Sequence, residues 1–395
     1  MKSVIEVFWR FLLLGCISFG GPAAHIGYFR STFVEKLNWL DDGAYARLVA
    51  LSQFLPGPGS SQIGFAIGCR QAGVAGGIAA FVGFTLPSFV LLTLLAIFTF
   101  NQADASSLDG IIHGLKLLAV VVVADACLGM YKNFCQERFS ISIAVATAVA
   151  LLLLPGLWTQ ALVLIIAAGI GVLLSGNTSL IKRDQSEIAN TNFGLKPLMN
   201  SKALWLFVAL FLVLPLLSLF DGLLTGLDLF SRFYQAGSLV FGGGHVVLPL
   251  LQQLVGESLG ADRFLSGYAA AQAVPGPMFT LAAFLGANLL ADSPWLGALL
   301  ATLGVFLPGL LLVLALQRHW EELANRPKMA GAIWGINAAV VGLLLSALYL
   351  PVFSSAVLSS FDMALVLMGF YCLKVLRCPL ILLVALFIAC GFIFV

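Results

Sequence analysis

Long apolar runs alternate with short polar connections along most of the 395-residue chain. A helix that crosses a bilayer needs about 20 mainly apolar residues. Nine runs predict such helices, at 72–100, 109–131, 139–154, 158–174, 203–219, 295–316, 329–350, 355–372 and 379–395. Glycine and proline interrupt four further apolar regions, so each predicts either a full span or a re-entrant hairpin; these regions are 4–35, 43–70, 229–251 and 264–291.

The same short phrases occur twice, once in each half of the chain. A Phe-Gly-Gly phrase begins at Phe19 and again at Phe241, and a Pro-Gly-Pro phrase occupies 56–58 and 275–277. Repeated hydrophobic halves with glycine and proline at corresponding positions are typical of secondary transporters. The pattern therefore predicts an all-α polytopic membrane protein with two homologous halves, whose broken or re-entrant helices lie at the centre.

The basic residues predict how the halves are oriented, because Lys and Arg are enriched in cytoplasmic loops. The predicted units are a first repeat at 1–174, a cytoplasmic linker at 175–202, a connecting transmembrane helix at 203–228 and a second repeat at 229–395. The linker contains four basic residues. Each span takes the chain to the opposite side of the membrane, and counting spans outward from the linker places all the other basic loops that follow the breaks on the cytoplasmic side as well. The single connecting helix inverts the second half relative to the first, which predicts an inverted repeat.

Composition narrows the class of protein. Hydrophobic residues make up 61% of the chain and charged residues 10%, against about 25% charged in soluble domains. The net charge of +2 includes no basic run that would indicate a nucleic-acid partner. The seven cysteines show no ligand spacing, so we predict no disulfide, metal or cofactor. The N-terminal apolar segment has an internal copy, so we expect it to stay in the mature fold rather than be cleaved as a signal peptide.

The breaks themselves are the predicted substrate site. Non-helical backbone is tolerated in a membrane only where it is buried or lines a cavity, and the helices that begin after each break present free N–H groups that favour an anion. The alternative is that the breaks are kinks that let helices pack closely. The predicted substrate-binding residues at the breaks are Phe19, Gly20, Gly21, Pro56, Gly57, Pro58, Gly242, Gly243, Gly244, Pro275, Gly276 and Pro277.

Two arginines occupy matching positions ahead of the Phe-Gly-Gly phrases. Arg10 and Arg232 each stand nine residues before the phrase that follows them. A guanidinium presents a planar fork that suits oxyanions, and an intramembrane charge is a functional hypothesis by default. The alternative is that these side chains extend to the membrane interface.

Other polar residues lie close to the breaks. His25 and His245 are each expected to line the cavity at the start of a half-helix, although the two do not align with one another. Gln53 and Gln272 immediately precede the Pro-Gly-Pro phrases and are expected either to donate to substrate or to cap freed carbonyl groups.

Lys116 and Asp125 are the candidate coupling residues of the span at 109–131. An uncompensated carboxylate is expensive inside a membrane, so Asp125 is expected either to take part in proton coupling or to pair with a basic side chain. The second half has Asn337 and Ser346 at the matching positions. Any such role therefore belongs to the first half alone.

The duplicated phrases, with the downstream Gly-x-x-Leu-Pro and the context FGGGHVVLPL, resemble the chromate ion transporter family in its long, two-domain form. The resemblance implies a carrier in the bacterial inner membrane that expels chromate, a tetrahedral dianion shaped like sulfate, by using the proton motive force, and so confers chromate resistance. Sulfate or another oxyanion remains open as the everyday substrate, a passive channel is a competing interpretation, and a homodimer is compatible with the sequence. No nucleophile, base or metal set indicates an enzyme.

Overall fold

In the computed structural model, the regular structure of the described residues is helical throughout. The described residues are 3–19, 21–101, 106–175, 201–217, 225–241, 247–317 and 327–394. The predicted linker at 175–202 lies almost wholly outside them. So do Gly20, Gly242, Gly243, Gly244 and His245.

Seven helices form the described part of the first half. They are α1 (Val4–Ile17), α2 (Gly21–Phe29, continued by a π-helical segment Arg30–Lys36), α3 (Asp42–Phe54), α4 (Gly59–Asn101), α5 (Ser106–Phe134), α6 (Arg138–Leu153) and α7 (Leu157–Leu174). Helix α4 is two helices joined by a kink, because Ala72 and Gly73 have non-helical backbone angles. Asp41 caps α3 by accepting a hydrogen bond from the Ala44 N–H, which holds the pKa of its carboxyl below the usual range.

The connecting helix and the second half follow. They comprise α8 (Lys202–Leu217), α9 (Thr225–Leu239), α10 (Val247–Leu251, continued by a π-helical turn Gln252–Gly256), α11 (Ala261–Ala273), α12 (Leu281–Leu289, preceded by a 3-10 turn Met278–Thr280), α13 (Pro294–Leu316), α14 (Pro327–Ala347), α15 (Ser360–Lys374) and α16 (Leu380–Phe394). Shorter helical pieces at 257–259 and 348–356 join these elements.

The order of elements in the first half recurs in the second. Helices α3 and α11 have the same length, and each ends shortly before a Pro-Gly-Pro phrase. The π-helical segments begin at Arg30 and at Gln252. Each of them follows a Phe-Gly-Gly phrase and precedes one of these two helices. The duplicated phrases therefore correspond to two copies of one arrangement of helices.

The chain reverses direction at both breaks of the first half. Phe11, before the first break, packs on Phe29 and Phe33 after it, with ring centroids 5.6 and 4.7 Å apart. Around the second break, the Gln71 side chain donates to the Trp39 carbonyl at 3.1 Å, which brings the far ends of α3 and of the first arm of α4 together. Both pairs are helical hairpins with their breaks at the tip. This geometry favours the re-entrant interpretation of the first two regions.

The helices coincide with the predicted spans. Among the described residues, four segments are long and apolar enough to cross a membrane, Gly59–Phe98, Ile112–Phe134, Pro294–Leu316 and Lys328–Ala356. Four of the shorter apolar helices lie at other predicted spans, namely Arg138–Leu153, Thr159–Leu174, Lys202–Leu217 and Leu382–Phe392. Large apolar side chains such as Leu153, Ile165 and Leu173 are exposed on the outer surface. An apolar outer surface of this kind is expected of a protein surrounded by lipid. The fold is therefore that of a multi-pass membrane protein.

The two halves interlock through their last helices. A Cβ atom at Gly331 of α14 would collide with the carbonyl oxygen of Gly171 in α7, and one at Gly391 of α16 would collide with that of Gly110 in α5. The last helix of each half thus lies backbone to backbone against a helix of the other half. Small residues allow this approach, as is usual for helices that pack in membranes.

Candidate functional site

The breaks of the two halves meet through a reciprocal pair of backbone hydrogen bonds. The Gly57 N–H donates to the Val240 carbonyl at 2.7 Å, and the Gly276 N–H donates to the Ser18 carbonyl at 2.9 Å. Gly276 is the counterpart of Gly57, and Val240 is the counterpart of Ser18. Each Pro-Gly-Pro break therefore contacts the residue ahead of the Phe-Gly-Gly break in the other half. Such an exchange of equivalent partners is the contact pattern of a two-fold relation.

Gly57 and Gly276 must be glycine for two reasons. Their φ angles are 117° and 104°, in the region that disfavours other residues. A Cβ atom on Gly57 would lie 2.9 Å from the Gly309 Cα, and one on Gly276 would lie 2.8 Å from the Ser88 Oγ. Ser88 and Gly309 are themselves counterparts, so each glycine packs against the same helix position in the opposite half. The two Pro-Gly-Pro phrases, which the sequence predicts as breaks, thus lie where the halves contact each other.

A new helix begins directly after each Pro-Gly-Pro break. Helix α4 begins at Gly59 directly after the first break, and the 3-10 turn that leads into α12 begins at Met278 directly after the second. These are the half-helix starts that the sequence predicts after Pro58 and Pro277. A helix start presents N–H groups without helical partners, and such groups favour an anion.

Unpartnered polar atoms are concentrated on the segments that flank the breaks of the first half. Burying a polar atom without a partner is costly, so these groups indicate where a ligand or water binds. On these segments, the side-chain atoms that are buried and have no hydrogen-bond partner among the described residues are the Ser18 Oγ, His25 Nδ1, Ser61 Oγ, Gln62 Oε1 and Thr85 Oγ1.

The second half does not repeat this chemistry. The positions that correspond to Ser18, His25, Ser61, Gln62 and Thr85 hold Val240, Val247, Thr280, Leu281 and Phe306. The backbone of the breaks is therefore duplicated, whereas most of the polar side chains belong to the first half. Sequence reasoning identified His25 in this set and missed the other four. For Ser18, Gln62 and Thr85, the signal that could have found them is a polar residue in one copy opposite an apolar residue in the other, whereas Ser61 stands opposite the polar Thr280 and gives no such signal.

His25 connects a break of each half. Its Nε2 lies 3.2 Å from the Ser18 carbonyl, the same oxygen that accepts the Gly276 N–H. A carbonyl can only accept, so Nε2 carries a hydrogen and donates it, and the lone pair of the neutral ring is on Nδ1. The ring packs edge-on against Phe84 at 5.1 Å. The unpartnered Nδ1 is thus available to accept a proton or a ligand hydrogen bond.

The glutamines have different roles. Gln62 caps a freed carbonyl of the first break, because its Nε2 donates to the Pro56 oxygen at 2.8 Å. Gln272 is buried and its Nε2 lies 3.0 Å from the Met278 Sδ, across the second break. Gln53 is exposed. Capping, one of the two roles considered for Gln53 and Gln272, is thus performed at the first break by Gln62.

The two predicted arginines lie outside this cluster. Arg10 is exposed on α1. The Arg232 Nε donates to the Asp228 carboxylate at 2.8 Å, and its Nη1 donates to the Leu254 carbonyl at 3.2 Å. A role for Arg10 and Arg232 in anion binding stays a prediction.

Helix α5 carries two ion pairs and one histidine–carboxylate hydrogen bond that bridge the halves. The Lys116 Nζ lies 2.6 Å from an Asp262 oxygen, the Lys374 Nζ lies 2.5 Å from an Asp125 oxygen, and the His113 Nε2 lies 2.8 Å from Asp362. Of the two alternatives for Asp125, the structure places it in an ion pair. Lys116 is buried and is likewise paired. A coupling role for Lys116 and Asp125 stays a prediction.

The described residues contain no group of three or more His, Cys, Asp or Glu side chains that could hold a metal ion. Their cysteines are all unpaired thiols. Among the described residues, the chemistry available at the breaks therefore comes from glycine backbone, hydroxyl and amide groups, and the imidazole of His25.

Comparison with known proteins gives consistent matches. The model of the chromate transporter family matches residues 5–173 and 227–393. A chromate transport protein from Pseudomonas aeruginosa is 28% identical over 87% of this chain and 79% of its own length. One from Cupriavidus metallidurans is 26% identical over 85% and 80%, and a probable chromate transport protein from Synechococcus elongatus is 27% identical over 87% and 84%. No solved structure matches.

Proposed function

This chain belongs to the chromate transporter family, and we propose that it is a secondary transporter that exports chromate from the cytoplasm across the bacterial inner membrane. The proton motive force drives this export, which confers resistance to chromate. The two halves act as an inverted repeat around a shared site at the four breaks. The similarity to chromate transport proteins over most of the chain supports the substrate.

The observation that carries the mechanism is the reciprocal contact between the breaks. Two glycines with left-handed backbone hold the halves together through single hydrogen bonds to Val240 and Ser18. Breaking one such contact and keeping the other would open the site on one side of the membrane only. In transporters built from inverted repeats, alternating access is a switch between two equivalent arrangements, in which the two halves exchange roles.

His25 is the group that we propose to hold the proton at this site. It is fully buried beside the contact between Ser18 and Gly276, and its Nδ1 has no partner among the described residues. The imidazole takes up a proton on the outer side, when the site holds no chromate, and releases it on the cytoplasmic side, so that proton entry is exchanged for chromate export. The counterpart of His25 is Val247, which cannot titrate, so the first half alone supplies this imidazole.

Sulfate is the second candidate substrate. The polar groups beside the breaks are hydroxyl, amide and imidazole groups, which bind through hydrogen bonds to oxygen. Chromate and sulfate are both tetrahedral dianions, and hydrogen bonds to four oxygens discriminate weakly between them.

Uptake of labelled chromate into inverted membrane vesicles tests the proposal. Export from the cell corresponds to uptake by these vesicles, and we expect a proton gradient to drive accumulation and a protonophore to abolish it. Excess sulfate should slow chromate uptake if the two share the site. Uptake that equilibrates without any gradient would instead identify a channel, and gradient-driven uptake of sulfate alone would contradict chromate as a substrate.

A further inference from the structure

Helices α11 and α12 form a hairpin whose tip is the second Pro-Gly-Pro break. A Cβ atom at Gly267 of α11 would collide with the Phe284 ring of α12, so the two arms lie against each other. We call residues 261–289 the second-half hairpin. Helix α11 starts at Ala261, directly after Gly260, which has a φ of 78°. The first turn of α11 is therefore the base of this hairpin, at the end opposite the tip.

A charged contact fastens the base of the second-half hairpin to the first half. The Lys116 Nζ of α5 lies 2.6 Å from a carboxylate oxygen of Asp262, in the first turn of α11. The Lys116 side chain is 9% exposed, whereas that of Asp262 is 69% exposed. A buried ammonium needs a partner, because an unpaired buried charge is costly. The hairpin thus supplies the partner of a cation that belongs to the other half.

The difference in exposure allows this pair to separate. When the hairpin lies against α5, the Asp262 carboxylate satisfies the Lys116 ammonium. When the base of the hairpin moves away, water reaches the ammonium and hydrates it, and the carboxylate is already largely in contact with solvent. An ion pair with both members deep in the protein could not separate without leaving a buried charge unpaired. The Lys116–Asp262 pair therefore has a satisfied closed state and a satisfied open state.

The equivalent hairpin of the first half is not fastened in this way. The counterparts of Lys116 and Asp262 are Asn337, which is neutral, and Gly43, which has no side chain. These two positions cannot form an ion pair. The neighbouring acid in the first turn of α3, Asp42, pairs with Arg30 of its own half instead. At this position, the charged link between the halves thus belongs to the second-half hairpin alone.

We propose that Lys116 and Asp262 form the outer gate of the transporter. The loops before α5 and before α11 are both predicted to lie outside the cytoplasm, so the pair is near the outer side. It holds the second-half hairpin against α5 while the site is open to the cytoplasm, and it separates when the hairpin moves to open the site to the outside. Asp262 acts through the position of the hairpin and is a positioning residue. This inference rests on the proposed alternating access.

A native cysteine can report where the hairpin is. Cys127 of α5 is 4% exposed, and it interacts electrostatically with Tyr268 of α11, which is fully buried. Movement of the hairpin away from α5 would uncover this thiol. A full-length chain that keeps Cys127 as its only cysteine can be reacted with a membrane-impermeant thiol reagent. Right-side-out vesicles then report labelling from the outside, and inverted vesicles report labelling from the cytoplasmic side.

Asp262→Asn removes the charge that holds the Lys116 ammonium. Labelling of Cys127 from the outside should become about tenfold faster or more, because a hydrogen bond between charged groups shifts an equilibrium by about that factor. Labelling from the cytoplasmic side should not become faster. Lys116→Met combined with Asp262→Asn should give the same result without leaving a buried charge unpaired. Asp42→Asn is the matched control, because it removes an ion-paired carboxylate from the first turn of α3, and its labelling should equal that of the wild type.

Three results would overturn the inference. The first is outside labelling that stays unchanged both in Asp262→Asn and in the double variant. The second is equal acceleration from both sides, which would mean that the pair only stabilises the fold. The third is an acceleration in Asp42→Asn as large as that in Asp262→Asn. The measurement uses neither chromate nor a proton gradient, so a protein that labels as expected but does not transport chromate would keep the gate and lose the proposed substrate.

Discussion

At the scale of single residues, the glycines of the Pro-Gly-Pro breaks carry the firmest prediction. Gly276→Ala places a Cβ atom 2.8 Å from the Ser88 Oγ and forces alanine to a φ of 104°, at a cost of about 1–3 kcal/mol. We expect chromate transport to fall sharply while the protein still inserts. Gly276→Leu, which is larger, should abolish transport. Transport assays in vesicles, normalised to the amount of inserted protein, measure both.

Gly169→Ala is the matched control for these variants. A Cβ atom at Gly169 would meet no atom within 4 Å, and the residue is inside helix α7. Its transport should equal that of the wild type. If Gly276→Leu inserts and transports as well as Gly169→Ala, the breaks are helix kinks and not the substrate site.

The second prediction at this scale concerns the proton. His25→Gln keeps a donor for the Ser18 carbonyl but removes the titratable ring, so chromate transport should lose its dependence on pH across the physiological range. Initial rates across this range at a fixed membrane potential provide the measurement. A variant whose rates follow the wild-type pH profile would exclude His25 as the proton site.

The sequence predicts the glycine and proline residues of the site better than its polar side chains. Gly57 and Gly276 could be found because their role depends on backbone conformation, which repeats in both halves. Ser18 and Gln62 are marked only by their apolar counterparts Val240 and Leu281, and this is a weak signal because isolated hydroxyl and amide groups in an apolar run usually bond to their own helix. Only the packing of α4 against the breaks shows that these atoms are left without partners.

At the scale of elements, apolar run length predicted the helices well. The predicted span at 109–131 corresponds to α5 (Ser106–Phe134), and the one at 295–316 corresponds to α13 (Pro294–Leu316). The choice between span and hairpin could not be made, because both have the same hydrophobic pattern. That choice depends on contacts such as Phe11 with Phe33, which are tertiary.

The pairing of α5 with α15 gives the third prediction. Asp125→Asn leaves Lys374 without its partner, so the single variant should transport poorly if pairing is the role of Asp125. Exchanging the charges, with Asp125→Lys and Lys374→Asp together, should then restore most of the transport. Gradient-driven uptake and chromate binding, measured side by side, test this.

The alternative is that Asp125 itself takes part in coupling. In that case the exchanged pair stays inactive, and Asp125→Asn binds chromate within a few-fold of the wild type while losing gradient-driven uptake. Restored transport in the exchanged pair would contradict the coupling role.

At the scale of the whole molecule, the halves depend on each other for stability. A Cβ atom at Gly331 would collide with the Gly171 backbone, and overpacking of this kind typically costs about 1–3 kcal/mol. We therefore expect Gly331→Ala to lower the thermal unfolding midpoint in detergent. Gly129→Ala is the control, because a Cβ atom at Gly129 would meet nothing within 4 Å. Equal midpoints for the two variants would mean that the interlocked helices contribute little to stability.

The last prediction tests the predicted inverted orientation of the halves, and it uses two equivalent loops. Lys36 ends the first π-helical segment, and its counterpart Ser258 follows the second; both are exposed. With hairpins that re-enter, the loop at Lys36 is cytoplasmic, together with Asn190 and Asn325. Ser258, Asp104 and Thr225 are then on the opposite side.

Single cysteines at these positions, in a chain whose seven native cysteines have been replaced, can be labelled with an impermeant reagent from either side of the membrane. We expect Lys36→Cys and Ser258→Cys to be labelled from opposite sides of the membrane, because a single crossing helix, α8, separates the two copies. Labelling of both from the same side would indicate parallel halves related by an axis along the membrane normal. In that case the two halves could not exchange roles to open the site first to one side of the membrane and then to the other. The reciprocal hydrogen bonds of Gly57 and Gly276 would not serve alternating access, and the proposed transport mechanism would have to be abandoned.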